Sequence, residues 1–211
     1  MSDLFIFLYS SLFIIICISA VYVIHLKLGL SAEVLRKLVH IGVSNWYFFY
    51  LKFNSATAPI TGLAIAAILI FFCIFYKIPQ RFFGAAAKER SWGLLYYPLS
   101  IIVLIILVQY NVINKVSLGC GLLSMGYGDG LAAIVGTKWG KMKISKMTGK
   151  KSWKGTFTMF VVCFIICFLL KGWSPVLLAV ALAGAAIEAL SPLGLDNVTV
   201  PIGIALLVEF I

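Results

Sequence analysis

Eight apolar runs, separated by short polar loops, restrict what this chain can fold into more than anything else in it. They lie at 4–26, 38–51, 59–76, 94–110, 116–137, 155–170, 173–190 and 198–211. A helix needs about 20 residues to cross a hydrocarbon core of about 30 Å, so the second and last runs are short for that task. The second gains length if its helix begins at Ser31, a suitable N-cap with Glu33 in the following turn. Hydrophobic residues make up 63% of the 211 and charged residues 11%, with a mean hydropathy of +1.09. Those values belong to polytopic membrane proteins and lie outside the range of soluble domains. The expected fold class is all-α: one integral membrane domain over residues 1–211, a bundle of seven to eight membrane helices. The start of the chain carries Asp3 and lacks a basic segment, so the first run is expected to stay as a helix and not to be cleaved as a signal.

Charge is placed as unevenly as hydrophobicity. If all eight runs cross, the loops alternate sides, and only Lys52, Lys115 and Lys171 of the 17 Lys and Arg fall on one face. The other face collects the rest, including the lysine-rich loop 138–154, and the positive-inside bias makes it the expected cytoplasmic face. A net charge of +10 does not point to nucleic acid here, because the cations sit in short loops between apolar runs and not on a solvated basic face. Membrane lipid head groups and phosphorylated substrates are the expected partners. The five cysteines, Cys17, Cys73, Cys120, Cys163 and Cys167, all lie within apolar runs, form no CxxC pair and have no zinc-like spacing to histidine. They read as small packing residues.

Five of the seven acids, Glu33, Glu89, Asp129, Glu188 and Asp196, map to that same basic side. Asp129 stands out because it lies inside an apolar run, where a carboxylate costs roughly 2.5–3.5 kcal/mol on insertion scales. Gly126, Gly128 and Gly130 surround it, and Ala133 and Gly136 share its helical face. The glycines suit close approach of a ligand, and they equally suit a helix-packing seam with the acid paired to a lysine. Most of the loop lysines serve as topology signals, whereas Lys150, Lys151 and Ser152 end the loop against the next run and are candidates for phosphate contact. Glu33, Arg36, Lys37, His40, Ser44 and Tyr47 recur at helical spacing as a polar stripe entering the bilayer. His40 reads as a proton carrier, a phosphate ligand or a structural hydrogen-bonder. Asp196 and Asn197 read as metal or nucleotide contacts, or as the cap of the last helix. Carboxylates beside lysines suit a Mg²⁺–polyphosphate complex, with oxygen ligands for the metal and point cations for the phosphates. A Walker A loop is excluded, since Ile144 stands where its first glycine is needed.

Several stretches together resemble the dolichol kinase, phytol kinase and CTP-dependent diacylglycerol kinase family. They are Arg36-Lys37-Leu38-Val39-His40, Lys88-Glu89-Arg90 with Gly93, Gly128-Asp129-Gly130 through Gly136, Lys151-Ser152 with Gly155-Thr156, and Glu188 to Pro201. The resemblance covers about residues 33 to 205. It implies a membrane enzyme that moves the γ-phosphate of CTP, or another NTP, to the hydroxyl of a prenol or of diacylglycerol, with Mg²⁺. By position it carries over Asp129, Lys151-Ser152 and Asp196-Asn197; together with the residue reading this makes Asp129, Lys151 and His40 the catalytic candidates and Asp129, Asp196 and Glu188 the candidate metal ligands. Arg36, Lys37, Gly128, Gly136, Lys150, Ser152 and Asn197 are left to bind the nucleotide. One departure is Lys154, where many members carry a glutamate before the glycine of the Lys-Ser motif. Two alternatives stay open. A phosphatidate cytidylyltransferase shares a similar arrangement, although the segment SPLGLDNVTVPIG lacks its usual glycine-, histidine- and aspartate-rich signature. A small-solute or ion transporter would use Asp129 in a broken helix, but no inverted repeat is evident.

Overall fold

A computed structural model describes residues 2–78, 92–140, 142, 151–192 and 194–211. The expected interfacial helix from Gln80, the Lys88-Glu89-Arg90 motif, Lys150 and most of the lysine loop lie outside the described residues. In chain order the helices are α1 (Asp3–Leu28), α2 (Ala32–Ser44), the single turn α3 (Tyr47–Tyr50), α4 (Thr57–Phe75), α5 (Trp92–Gln109) and α6 (Lys115–Leu123). A π-helical segment, Ser124–Asp129, leads on into α7 (Gly130–Trp139), followed by α8 (Trp153–Lys171), α9 (Val176–Leu190) and α10 (Asp196–Glu209). Each of the eight apolar runs is helical, and the fold is all-α. Among the described residues, five helices are long and apolar enough to cross a membrane: α1, α4, α5, the composite from Lys115 to Trp139, and α8. The apolar α9 is shorter, and α10 ends after 14 residues.

The composite helix is the axis of the bundle. Of its apolar window 72% is buried inside the protein, against 17% for α1 and 11% for α4, whose large side chains face outward. Its glycines let neighbours approach closely: a Cβ on Gly121 would lie 2.1 Å from the Pro201 carbonyl oxygen of α10, and one on Gly126 would lie 2.3 Å from the Ser44 side chain of α2. Helix α8 covers another side, with Met159 over Gly128. Asp129 closes the π segment, a local widening of the helix that is frequent at functional sites.

Local signals set the ends. Gly29, in the left-handed region at φ 59°, stops α1 and donates to the His25 carbonyl. Ser31 precedes α2 in extended conformation, as its sequence suggested, but its side chain makes no capping bond. Asn114 caps α6 through the Ser117 amide at 2.9 Å, and Ser152 caps α8 through the Gly155 amide at 3.2 Å. The bundle brings the starts of α2, α8 and α10 to one end, together with the ends of α7 and α9.

Candidate active site

At that end, three carboxylates converge. Asp129 comes from the π segment, Glu188 from the last turn of α9 and Asp196 from the start of α10, with one oxygen of each within 4.8 Å of the others. The turn joining α9 to α10 brings the last two together: Gly194 adopts φ 88°, and Ser191 donates to the Ile187 carbonyl at 2.7 Å. All three acids are buried, at 2%, 5% and 4% exposure. Two lysines answer them. Lys37, among the most buried large side chains of the protein, pairs with Asp129. Lys151 reaches Glu188 at 2.8 Å and Asp196 at 3.2 Å, and also donates to the Glu188 carbonyl. Burial opposes the charge on Lys151, but Asp196 and Glu188 outweigh it and hold the ammonium above its ordinary value.

A cleft opens onto this cluster. Ala132, Ala133 and Gly136 of α7 and Gly155 and Thr156 of α8 form a wall without bulk, facing Lys37, Lys151 and the acids. A Cβ on Gly136 would lie 2.9 Å from the Ser152 hydroxyl, so this wall has no room to thicken. Buried ion pairs return little net stability, because desolvation takes back most of the Coulomb gain. Three acids and two lysines gathered beside a cleft are therefore better explained by binding than by folding. The donor set suits a hard divalent cation, which takes carboxylate oxygens. The lysines supply the cations that phosphate oxygens need.

The residues singled out in the sequence fall into four groups. Asp129, Lys37, Lys151, Glu188, Asp196, Gly136 and Ser152 line the cleft. Ser152 also serves as the cap of α8. Arg36, His40 and Asn197 sit behind it: His40 stacks on Tyr97 with ring centroids 4.6 Å apart, and the Asn197 amide donates to the Gly93 carbonyl at 2.8 Å. Gly128 faces Met159, 2.5 Å from where its Cβ would be, and is a packing position on α8 and not part of the cleft. Lys150 lies outside the described residues. Thr156 and Tyr97 were not assigned roles. Thr156 stands in a quoted motif, but nothing distinguishes Tyr97 from the other aromatics of an apolar run.

Comparison with known proteins identifies the family. Over 192 residues the chain is 34% identical to the phytol kinase of Synechocystis sp., covering 86% of this chain and 81% of that protein. It is 29% identical over 198 residues to probable phytol kinase 2, chloroplastic, of Glycine max, covering 83% of this chain and 64% of that one. Dolichol kinase EVAN of Arabidopsis thaliana matches more locally, 38% identical over 94 residues, 39% of this chain and 16% of that one. No protein-family profile and no solved structure matches. With an identity of this size over most of both lengths, and with those motifs of the resemblance that lie among the described residues gathered at one end of an all-helical bundle, the chain belongs to the polyprenol and phytol kinase family.

Proposed function

We propose that the chain is a membrane lipid-alcohol kinase that transfers the γ-phosphate of CTP, or of another nucleoside triphosphate, to the hydroxyl of a prenol such as phytol or dolichol, or of diacylglycerol. The observation that carries this reading is the buried triad of Asp129, Glu188 and Asp196 held by Lys37 and Lys151 beside a small-residue cleft. Kinases of prenols among the relatives support it. The reaction belongs at the cytoplasmic face, where a water-borne donor meets an acceptor whose tail stays in lipid.

Asp129, Glu188 and Asp196 would hold Mg²⁺, which when bound offsets charge on the phosphate oxygens. Lys37 and Lys151 exchange carboxylate partners for phosphate oxygens and so stabilise the spread negative charge of the transition state. The Ala132, Ala133, Gly136 and Gly155 wall lets the triphosphate lie close to helix backbone. The alcohol oxygen bonds to the γ-phosphorus, the bond to the bridging oxygen breaks, and the nucleoside diphosphate leaves. The hydroxyl proton passes to a carboxylate of the cluster and then to solvent. Purified protein in detergent, given γ-labelled CTP, Mg²⁺ and a panel of phytol, dolichol and diacylglycerol, is expected to move label into the organic phase with a prenol. Failure to label any alcohol, with CTP or ATP, would remove this function.

A further inference from the structure

Behind the ionic cluster lies a second polar junction that the mechanism above does not use. Arg36 and His40 stand one turn apart on α2, Gly93 and Tyr97 one turn apart on α5, and Asn197 projects from the first turn of α10. Two contacts on adjoining turns define the junction: a Cβ on Gly93 would lie 2.7 Å from Asn197 Nδ2 and 3.1 Å from Arg36 Nη1, and one turn along the same two helices His40 stacks on Tyr97. His40, Tyr97 and Asn197 are 2%, 4% and 0% exposed. Four of their polar atoms nevertheless have no partner: Arg36 Nη1, His40 Nδ1, Tyr97 Oη and Asn197 Oδ1. A buried polar group left unmet costs at least as much as a lost hydrogen bond, so four at one junction of three helices call for a missing partner.

Two facts define that partner. The Gly93 carbonyl can only accept, which commits the Asn197 amide nitrogen to it and leaves Oδ1 as an acceptor needing a donor. An ionised phosphate donates nothing, whereas an alcohol hydroxyl both donates and accepts. Depth agrees. Gly130 packs over the Lys37 carbonyl and Gly126 over the His40 carbonyl, so His40 and Tyr97 lie about one helical turn, roughly 5 Å, farther from the loop end than the Lys37–Asp129 pair. The charged layer faces the loops and the deeper layer is mostly neutral.

We propose that this junction seats the hydroxyl of the lipid acceptor, with Tyr97 and Arg36 donating to its oxygen and Asn197 Oδ1 or His40 Nδ1 accepting a hydrogen bond from it until the proton leaves to the carboxylate cluster. The inference rests on the kinase reading for the identity of the acceptor. It makes Tyr97 a substrate-binding residue and places the acceptor beneath the phosphates, tail toward the bilayer interior.

The test measures equilibrium binding of tritiated phytol without nucleotide, against its hydroxyl-free hydrocarbon, to wild type, Tyr97→Phe and Asn197→Ala, each checked for monodispersity in detergent. Wild type is expected to prefer phytol, and each variant to lose about 5- to 10-fold of that preference, the worth of one hydrogen bond. In turnover, KM for the alcohol is expected to rise by the same factor while KM for the nucleotide holds. Unchanged hydroxyl preference in both variants would mean that water fills the junction, and a rise confined to the nucleotide KM would assign it to the donor; either overturns the proposal. If wild type shows no transfer but its preference for phytol falls in the variants, the kinase reading fails and the hydroxyl seat stands.

Discussion

The two ends of the bundle use acids in opposite ways. At the far end, Asp3 accepts from the Asn54 and Ser55 amides at 2.9 and 3.1 Å and from their side chains at 2.7 and 2.9 Å, in the open. Glu209 likewise takes the Asn114 amide at 2.8 Å, and Lys171 donates to the Val208 carbonyl at 3.2 Å. These contacts pin loops and helix ends, and water could replace them. At the near end, Asp129, Glu188 and Asp196 are buried and matched by ammonium groups from distant parts of the chain. Water cannot replace those partners, so the near end carries a desolvation cost that the far end does not.

That contrast can be broken, and the largest expected effect is on chemistry. Asp129→Asn keeps shape and removes the charge; transfer of γ-label to lipid is expected to fall by about 100-fold or more, while the protein stays monodisperse. Retained activity would take Asp129 out of the mechanism. Next comes Lys151→Met, which strands Glu188 and Asp196 together. Removing one partner of a buried pair costs about 3–5 kcal/mol, so a clear drop in melting temperature in detergent is expected along with lost transfer. Asp3→Asn and Glu209→Gln at the far end should leave transfer at the wild-type rate and barely move the melting temperature. A far-end variant that silenced transfer would dissolve the distinction between the ends.

The smallest effect concerns pH. Because the folded protein holds Lys151 above its ordinary value, its ion pairs contribute fully below the unfolded lysine pKa of about 10.4. That contribution is lost only as pH rises through the folded value. The melting-temperature gap between wild type and Lys151→Met should therefore stay level from pH 7 to about 10 and narrow above it. A gap that closes below pH 9 would contradict the pairing.

Much of this arrangement was legible beforehand, for identifiable reasons. Each apolar run announces a helix because lipid leaves the backbone few alternatives, and alternation of loops alone puts Asp129, Lys151, Glu188 and Asp196 on one face. Partnership was not legible. Lys37 was assigned to phosphate, yet it holds Asp129 across 92 residues of sequence, and no periodicity reports such a contact. The glycines around Asp129 could signal a ligand or a seam; Gly126 and Gly128 turn out to meet Ser44 and Met159, which depends on how the π segment rotates the helix. Tyr97 was invisible because an aromatic in an apolar run is ordinary, and only its unmet hydroxyl and its place against His40 set it apart.

The central claim is that the near end transfers a terminal phosphoryl group to a lipid alcohol. Parallel reactions with α-labelled and γ-labelled CTP on the same purified protein and phytol test it most directly. The account predicts lipid carrying γ-label alone, with labelled CDP left by the α-labelled donor. Lipid that retains α-label, with pyrophosphate released, would contradict it and make the chain a cytidylyltransferase.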